Sequence, residues 1–325
     1  MATALLALIA SATLVASGAA QAEANASRLE RRLPLAKLRE IRAALEAAGL
    51  YTKITPANRT DWMRAFPEDG GPSFSPYVRS KPKLLDAAQT RFYVANLAPE
   101  SAAARQAALL AQHFLAACFE LQPAEVVLTL PQQLPVNTDG QINALPLVHR
   151  IVPEAVAAAA KARQTTFVDA AGFVVITDRD LYFDDPETDE RLNFVFGLSG
   201  SAAPVTVFST SRLGDPATSA AARSRFTRRV LGLAVHEFGH NCWLPHCTRH
   251  RCVMNGANNL QDMDRTPLLF CPDCLAKLWW YLALDPREHL QGLLKAMRGK
   301  DLEQILADEI AVLEASLKVV EAARQ

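Results

Sequence analysis

The chain has 325 residues, with 34 Lys and Arg against 34 Asp and Glu, so its formal net charge is zero. That balance removes the case for a polybasic nucleic-acid binder and for general attraction to an anionic membrane surface. Half of the residues are hydrophobic and 21% are charged, enough apolar material for a sizeable core in one large or two modest domains.

Residues 1–22 are apolar and Ala-rich and end in Ala20-Gln21-Ala22, an A-x-A-like cleavage site. They predict a signal peptide and a secreted or periplasmic protein. Because only the amino terminus carries positive charge there, a cytoplasmic chain with an uncleaved tail is the alternative. No later stretch is long and apolar enough to span a membrane. Residues 23–90 read as a helical and loop extension. A helix is expected over 28–49, ending at Gly49, and a loop rich in Pro, Gly, Ser and aromatics over 51–82. Strands are expected at Arg91–Leu97, Glu125–Leu130, Phe173–Tyr182, Asn193–Phe196 and Val205–Ser209. Helices are expected at Pro99–Leu121, Pro153–Arg163, from Ser219 through His240, at Leu275–Leu284 and at Leu290–Arg324. The alternation predicts an α/β (α+β) fold: a mixed sheet with an active-site helix over 91–284, a helical extension before it and another over 285–325. No internal repeat is present, and nothing bears on oligomeric state.

The stretch from Val235 to Cys274 is the densest in chemistry. His236 and His240 are four apart, so on a helix their rings share one face. Glu237 is offset by one position and reaches past a shared metal toward a water. His246 follows six residues later, which requires the chain to turn back after His240. Three imidazoles and a carboxylate suit a catalytic zinc, which keeps a position open for water beside three protein ligands. Glu237 is then the general base. Cys247, Cys252, Cys271 and Cys274 form two short pairs, the spacing of a closed structural zinc site; two disulfides are the rival in an exported chain. Cys118, in an apolar helical run, and Cys242 read as core residues. His250 lies between two of these cysteines and is a competing ligand; His113, His149 and His289 read as ordinary.

The order His236-Glu237-x-x-His240-x-x-Trp243-x-x-His246-Cys247, four residues, Cys252-x-Met254, sixteen residues, Cys271-x-x-Cys274 resembles the archaemetzincin family of zinc peptidases. Ile176–Tyr182, Asn193–Gly197 and Ser209–Leu213 are similar to segments of the same catalytic domain, so the likeness runs from about Arg91 to Tyr281. The resemblance implies a metzincin-like fold and two zinc ions. It assigns His236, His240 and His246 to a catalytic zinc and Glu237 to general base. Met254 becomes the Met-turn methionine beneath the metal, and the four cysteines the structural site. It also implies a peptide or protein substrate and leans toward an aminopeptidase. Where the family has Gly, this chain has Trp243. Gly there supplies a left-handed backbone free of a Cβ clash. Either Trp243 carries that strain, or Asn241 or Pro245 shapes a different turn. A catalytically inactive, zinc-stabilised peptide-binding module is the alternative that this substitution motivates.

Overall fold

The computed structural model describes residues 29–30, 32–200, 203–299 and 301–324, so the signal peptide expected over 1–22 lies outside the described residues. Helix α1, Leu35–Ala47, starts at Pro34, and Gly49 beyond its end takes φ +68°. Its buried residues Leu38, Ile41 and Leu45 recur at helical spacing and pack on the C-terminal helices. Across the expected loop, two short helices form: α2, Asp61–Ala65, capped by the Thr60 hydroxyl, and α3, Phe74–Arg79.

Strand β1, Arg91–Asn96, leads through α4, Ala102–Phe119, to β2, Gln122–Glu125. The strand expected at Glu125–Leu130 is displaced toward the N-terminus. Val126 makes a last backbone bond to Val94, and the chain then leaves the ladder. The apolar alternation survives that departure: Val126 and Leu128 are buried and Val127 is 77% exposed. Strand β3, Ile142–Asn143, runs through two irregular helical turns into α5, Val152–Ala162. The strand expected at Phe173–Tyr182 is two strands. β4, Ala170–Thr177, and β5, Leu181–Asp185, belong to different sheets. The break holds Asp180, whose carboxylate takes two bonds from Arg212 at 2.8 and 2.7 Å. β6, Glu190–Val195, β7, Gly197–Ser199, and β8, Val205–Ser209, follow.

The larger sheet has the order β2-β1-β4-β8-β7, parallel except for β7, and the smaller has the order β3-β5-β6. Every residue of central β4 is buried, as a strand covered on both faces requires. Phe92, Val174, Ile176 and Phe208 face one core; Tyr93, Phe173, Val175 and Val207 face another. Helix α6, Ala220–Asn241, starts at the Ser219 cap (Ala222 N–H to its hydroxyl, 3.1 Å) and packs under the first face. Phe238 meets Phe92 and Phe119 there, edge to face.

The remaining helices are α7, Leu260–Arg265; α8, Pro272–Leu282; α9, Pro286–Met297; and α10, Ala307–Arg324. The single helix expected over Leu290–Arg324 is therefore two. The chain turns at Gly299, and buried Leu302 and Leu306 tuck the connection into the core. No helix among the described residues is long and apolar enough to cross a membrane.

Candidate active site and metal centres

Helix α6 carries His236, Glu237 and His240 in its last two turns, and its C-terminal cap delivers the rest. Leu244 N–H bonds to Gly239 O (3.0 Å) and Trp243 N–H to His240 O (2.9 Å), the two bonds of a Schellman cap. Trp243 occupies the left-handed position of that cap at φ +58°. The turn is thus built as Gly would build it, with the strain carried by a tryptophan at about 1–2 kcal/mol. The reversal aims His246 back at the helix.

The ligand nitrogens of His236, His240 and His246 lie within 4.8 Å of one another. On each ring Nδ1 faces an acceptor: Val253 O for His236 (2.8 Å), Leu244 O for His240 (2.8 Å) and an Asp69 carboxylate oxygen for His246 (2.5 Å). Carbonyl and carboxylate oxygens only accept, so each Nδ1 donates, and Nε2 is the ring atom left to take a metal. Burial first, and the neighbouring His246 second, hold His236 down to about 3. His240 is held well below the usual histidine range by burial first, then by the neighbouring His236 and His246. Three imidazoles converging in this way are the donor set a zinc ion takes, so these residues fit it.

Glu237 is buried and lines the same cleft, and burial pushes its carboxyl up to about 7 against the lowering effect of a Ser199 hydrogen bond. The Ser199 hydroxyl lies within donating distance of Glu237 O (2.8 Å) and Glu237 Oε2 (2.9 Å), and Thr206 also donates to Glu237 O (3.1 Å). Gly197 gives this carboxylate its space, since a Cβ there would lie 2.7 Å from Glu237 Oε1. Met254 is fully buried against α6; a Cβ on Gly239 would lie 2.6 Å from its sulfur. The cleft above holds about 900 Å³. Strand β7 with Phe194 and Phe196 forms one wall, Trp62 and Phe66 another, and Trp243, 45% exposed, stands at its rim.

The sulfurs of Cys247, Cys252, Cys271 and Cys274 also lie within 4.8 Å of one another, all buried. Cys271 occupies the N-cap position of α8 and Cys274 sits in its first turn, where the helix dipole favours thiolates. Asn255 stitches the loop between the first two: it accepts from Cys252 N–H (2.9 Å) and donates to Cys247 O (2.6 Å). Burial opposes the charged form of Cys271, yet hydrogen bonds from the other three thiols and His250 hold it well below the usual thiol range. Lys277 stays charged although burial opposes it, because Cys274 and Asp273 lie beside it. All six cysteines are free thiols, and Cys118 and Cys242 stay apart in the core. His250 pairs with Glu46 at 3.2 Å, and the cysteine cluster and Glu46 hold its imidazole above the usual histidine range. His289, expected to be ordinary, is fully buried and bridges Trp279 Nε1 (3.0 Å) to Cys118 O (2.9 Å).

The seven expected metal ligands therefore fall into two clusters, with Glu237 lining the cleft beside the histidines and Met254 packed against α6. Asp69, Ser199, Thr206 and Asn255 were not anticipated. Asp69 lies 177 positions before His246, and no motif links them. Ser199 follows the strand segment already singled out, but its register against Glu237 exists only once β7 pairs with β8.

Residues 152–279 match the family model described as Peptidase family M54. An archaemetzincin of Archaeoglobus fulgidus is 36% identical over 106 residues, 32% of this chain and 57% of that protein. Archaemetzincin-2 of Mus musculus is 32% identical over 153 residues, 39% of this chain and 41% of that protein. The chain thus spans about half the length of the curated relatives it matches. The solved structure of the Archaeoglobus fulgidus archaemetzincin complexed with malonate aligns at a TM-score of 0.44 and 24% identity, over 57% of this chain and 99% of that one.

Proposed function

We propose, from the match of residues 152–279 to peptidase family M54 and the likeness to archaemetzincins, that the chain is a zinc-dependent peptidase holding two zinc ions. One observation carries the reading: three imidazoles converge beside a buried carboxylate that lines an open cleft. His236, His240 and His246 would hold the catalytic zinc, and Cys247, Cys252, Cys271 and Cys274 the structural one. Bound zinc supplies Lewis acidity that acidifies water and polarises a carbonyl oxygen.

The chain's own residues do the rest. β7 ends the larger sheet and lines the cleft, so its outer edge offers backbone groups to an extended peptide. Glu237 accepts the proton of the attacking water through a carboxylate oxygen and returns it to the leaving amine. Ser199 holds the other oxygen, which fixes the orientation of the base. Removal of amino-terminal residues is the finer form of this reading. A pair of peptides differing only in amino-terminal acetylation decides it, because an aminopeptidase leaves the blocked one intact.

Trp243 favours a second reading, a peptide-binding module without turnover. Against it, the strained cap still delivers His246 to the other two rings. Glu237→Gln separates them. It is expected to lower kcat/KM by roughly 10²–10⁴ while two zinc ions per chain remain by metal analysis. Unchanged cleavage by that variant would remove Glu237 as the base; no cleavage by the parent chain on any peptide library would favour the binding module.

A further inference from the structure

His236 and His240 are oriented from within the zinc segment itself, by the carbonyls of Val253 and Leu244. His246 is not. Its Nδ1 donates to Asp69, on a segment that precedes both the sheet and the family-matched region. Asp69 is fixed in turn by Trp62, whose indole N–H donates to the same carboxylate oxygen at 2.5 Å. The Trp62 ring meets His246 edge-on at 5.2 Å between centroids. It also fills the slot left by Gly256, where a Cβ would lie 2.3 Å from the indole.

The same segment grips the turn itself. Gly71 N–H donates to His246 O at 3.0 Å, and Arg249 donates twice to Gly71 O at 3.0 and 3.1 Å. Gly71 lies so close to Pro245 that a Cβ would be 2.0 Å from its ring carbon. Two glycines therefore permit an approach that larger residues would block. The turn so gripped is the one in which Trp243 sits at φ +58°.

We propose that Asp69 is a positioning residue for His246, and that the 62–71 segment is an integral wall of the active site that holds the third ligand over a strained turn. The inference rests on the reading of the three histidines as a zinc site. A carboxylate on the far nitrogen of a ligating imidazole fixes the ring and raises its basicity, and losing such a partner costs roughly 10–100-fold in metal affinity.

The test is zinc binding to the full chain by chelator competition, with thiol alkylation reporting the four-cysteine cluster independently. Cobalt placed at the histidine site supplies a ligand-field spectrum. Asp69→Asn is expected to weaken the histidine site roughly 10–100-fold and shift the cobalt bands. Thiol protection and melting temperature are expected to stay as in the parent. Asp69→Glu, which restores a carboxylate, is expected to recover part of the affinity. Parent-like affinity and spectrum in Asp69→Asn would overturn the proposal and leave the zinc reading standing. Loss of thiol protection in both Asp69 variants would make the residue a folding element and also overturn it. A parent chain whose histidines bind no metal would instead sink the zinc reading, and the proposal with it.

Discussion

The two clusters share a loop, since Cys247 follows His246 directly, yet they are built in opposite ways. The four thiols are at most 1% exposed, and they draw on a helix N-terminus, a buried lysine and the stitching of Asn255. The three imidazoles are part-exposed and open onto a cleft. A closed cluster serves as a staple in the core, and an open one keeps a face free for substrate. The lesson concerns where stability resides. The thiol cluster ties the third-ligand loop to α8, so the open site can hold strain that its surroundings absorb.

The most direct way to break this contrast is to remove one ligand from each cluster. Cys271→Ser is expected to drop the zinc count from two to one and to abolish the cooperative melt, because such sites contribute an apparent ~10–16 kcal/mol to folding. His240→Ala is expected to drop the count equally and abolish cleavage, with the melting temperature moved by only a few degrees. Equal thermal losses in the two variants would dissolve the distinction between staple and open site.

Acid would be expected to act on both clusters through protonation of their ligands, so a third group has to be subtracted before the two are compared. His289 accepts the Trp279 N–H at Nδ1 and donates at Nε2, which fixes its neutral form, and burial holds it down to about 4. The unfolded chain binds this proton near 6.5, so between that value and 4 the unfolded state carries more protons. Stability from this group is therefore complete above 6.5 and falls as pH drops through the window, by on the order of 3 kcal/mol. Denaturant unfolding at two pH values should show a shallower acid loss in His289→Gln. An unchanged slope would assign the acid sensitivity to the clusters alone.

Within the open site, Ser199→Ala removes the hydrogen bond that favours ionised Glu237. The carboxyl then rises further, so the acid limb of kcat/KM is expected to move to higher pH. Activity below neutrality should fall roughly tenfold, the scale of a lost bond to a charged group. Thiol protection should not change. A parent-like pH profile would show that Ser199 does not act on the base.

Much of this was legible in the sequence because it is local. The i, i+4 spacing of His236 and His240, the paired cysteines and the apolar run of Val205–Ser209 each encode their own geometry within a few residues. The misplacements arose where partners decide. Val126 to Leu130 has strand-like alternation but no neighbour to pair with beyond Val94. Phe173 to Tyr182 reads as one strand, yet its two ends pair in different sheets, with Arg212, distant in sequence, bound to Asp180 at the break. Asp69 and Ser199 left no trace for the same reason: each acquires its role from a residue far along the chain, and only the fold supplies that adjacency.

The smallest expected effect probes the one position where local chemistry and the site disagree. Trp243 pays for a left-handed backbone that Gly adopts freely, and its side chain is nearly half exposed, so little packing offsets the strain. Trp243→Gly should therefore raise stability by about 1–2 kcal/mol. That gain corresponds to a melting temperature higher by a few degrees. Zinc affinity at the histidines should not change, because the bonds of His246 to Asp69 and Gly71 already hold the ring in place. Turnover of bulky peptides should rise as the rim of the cleft opens. A chain that melts lower than its parent would show that indole packing outweighs backbone strain. Tighter zinc binding in the same variant would show that the strain reaches His246 after all.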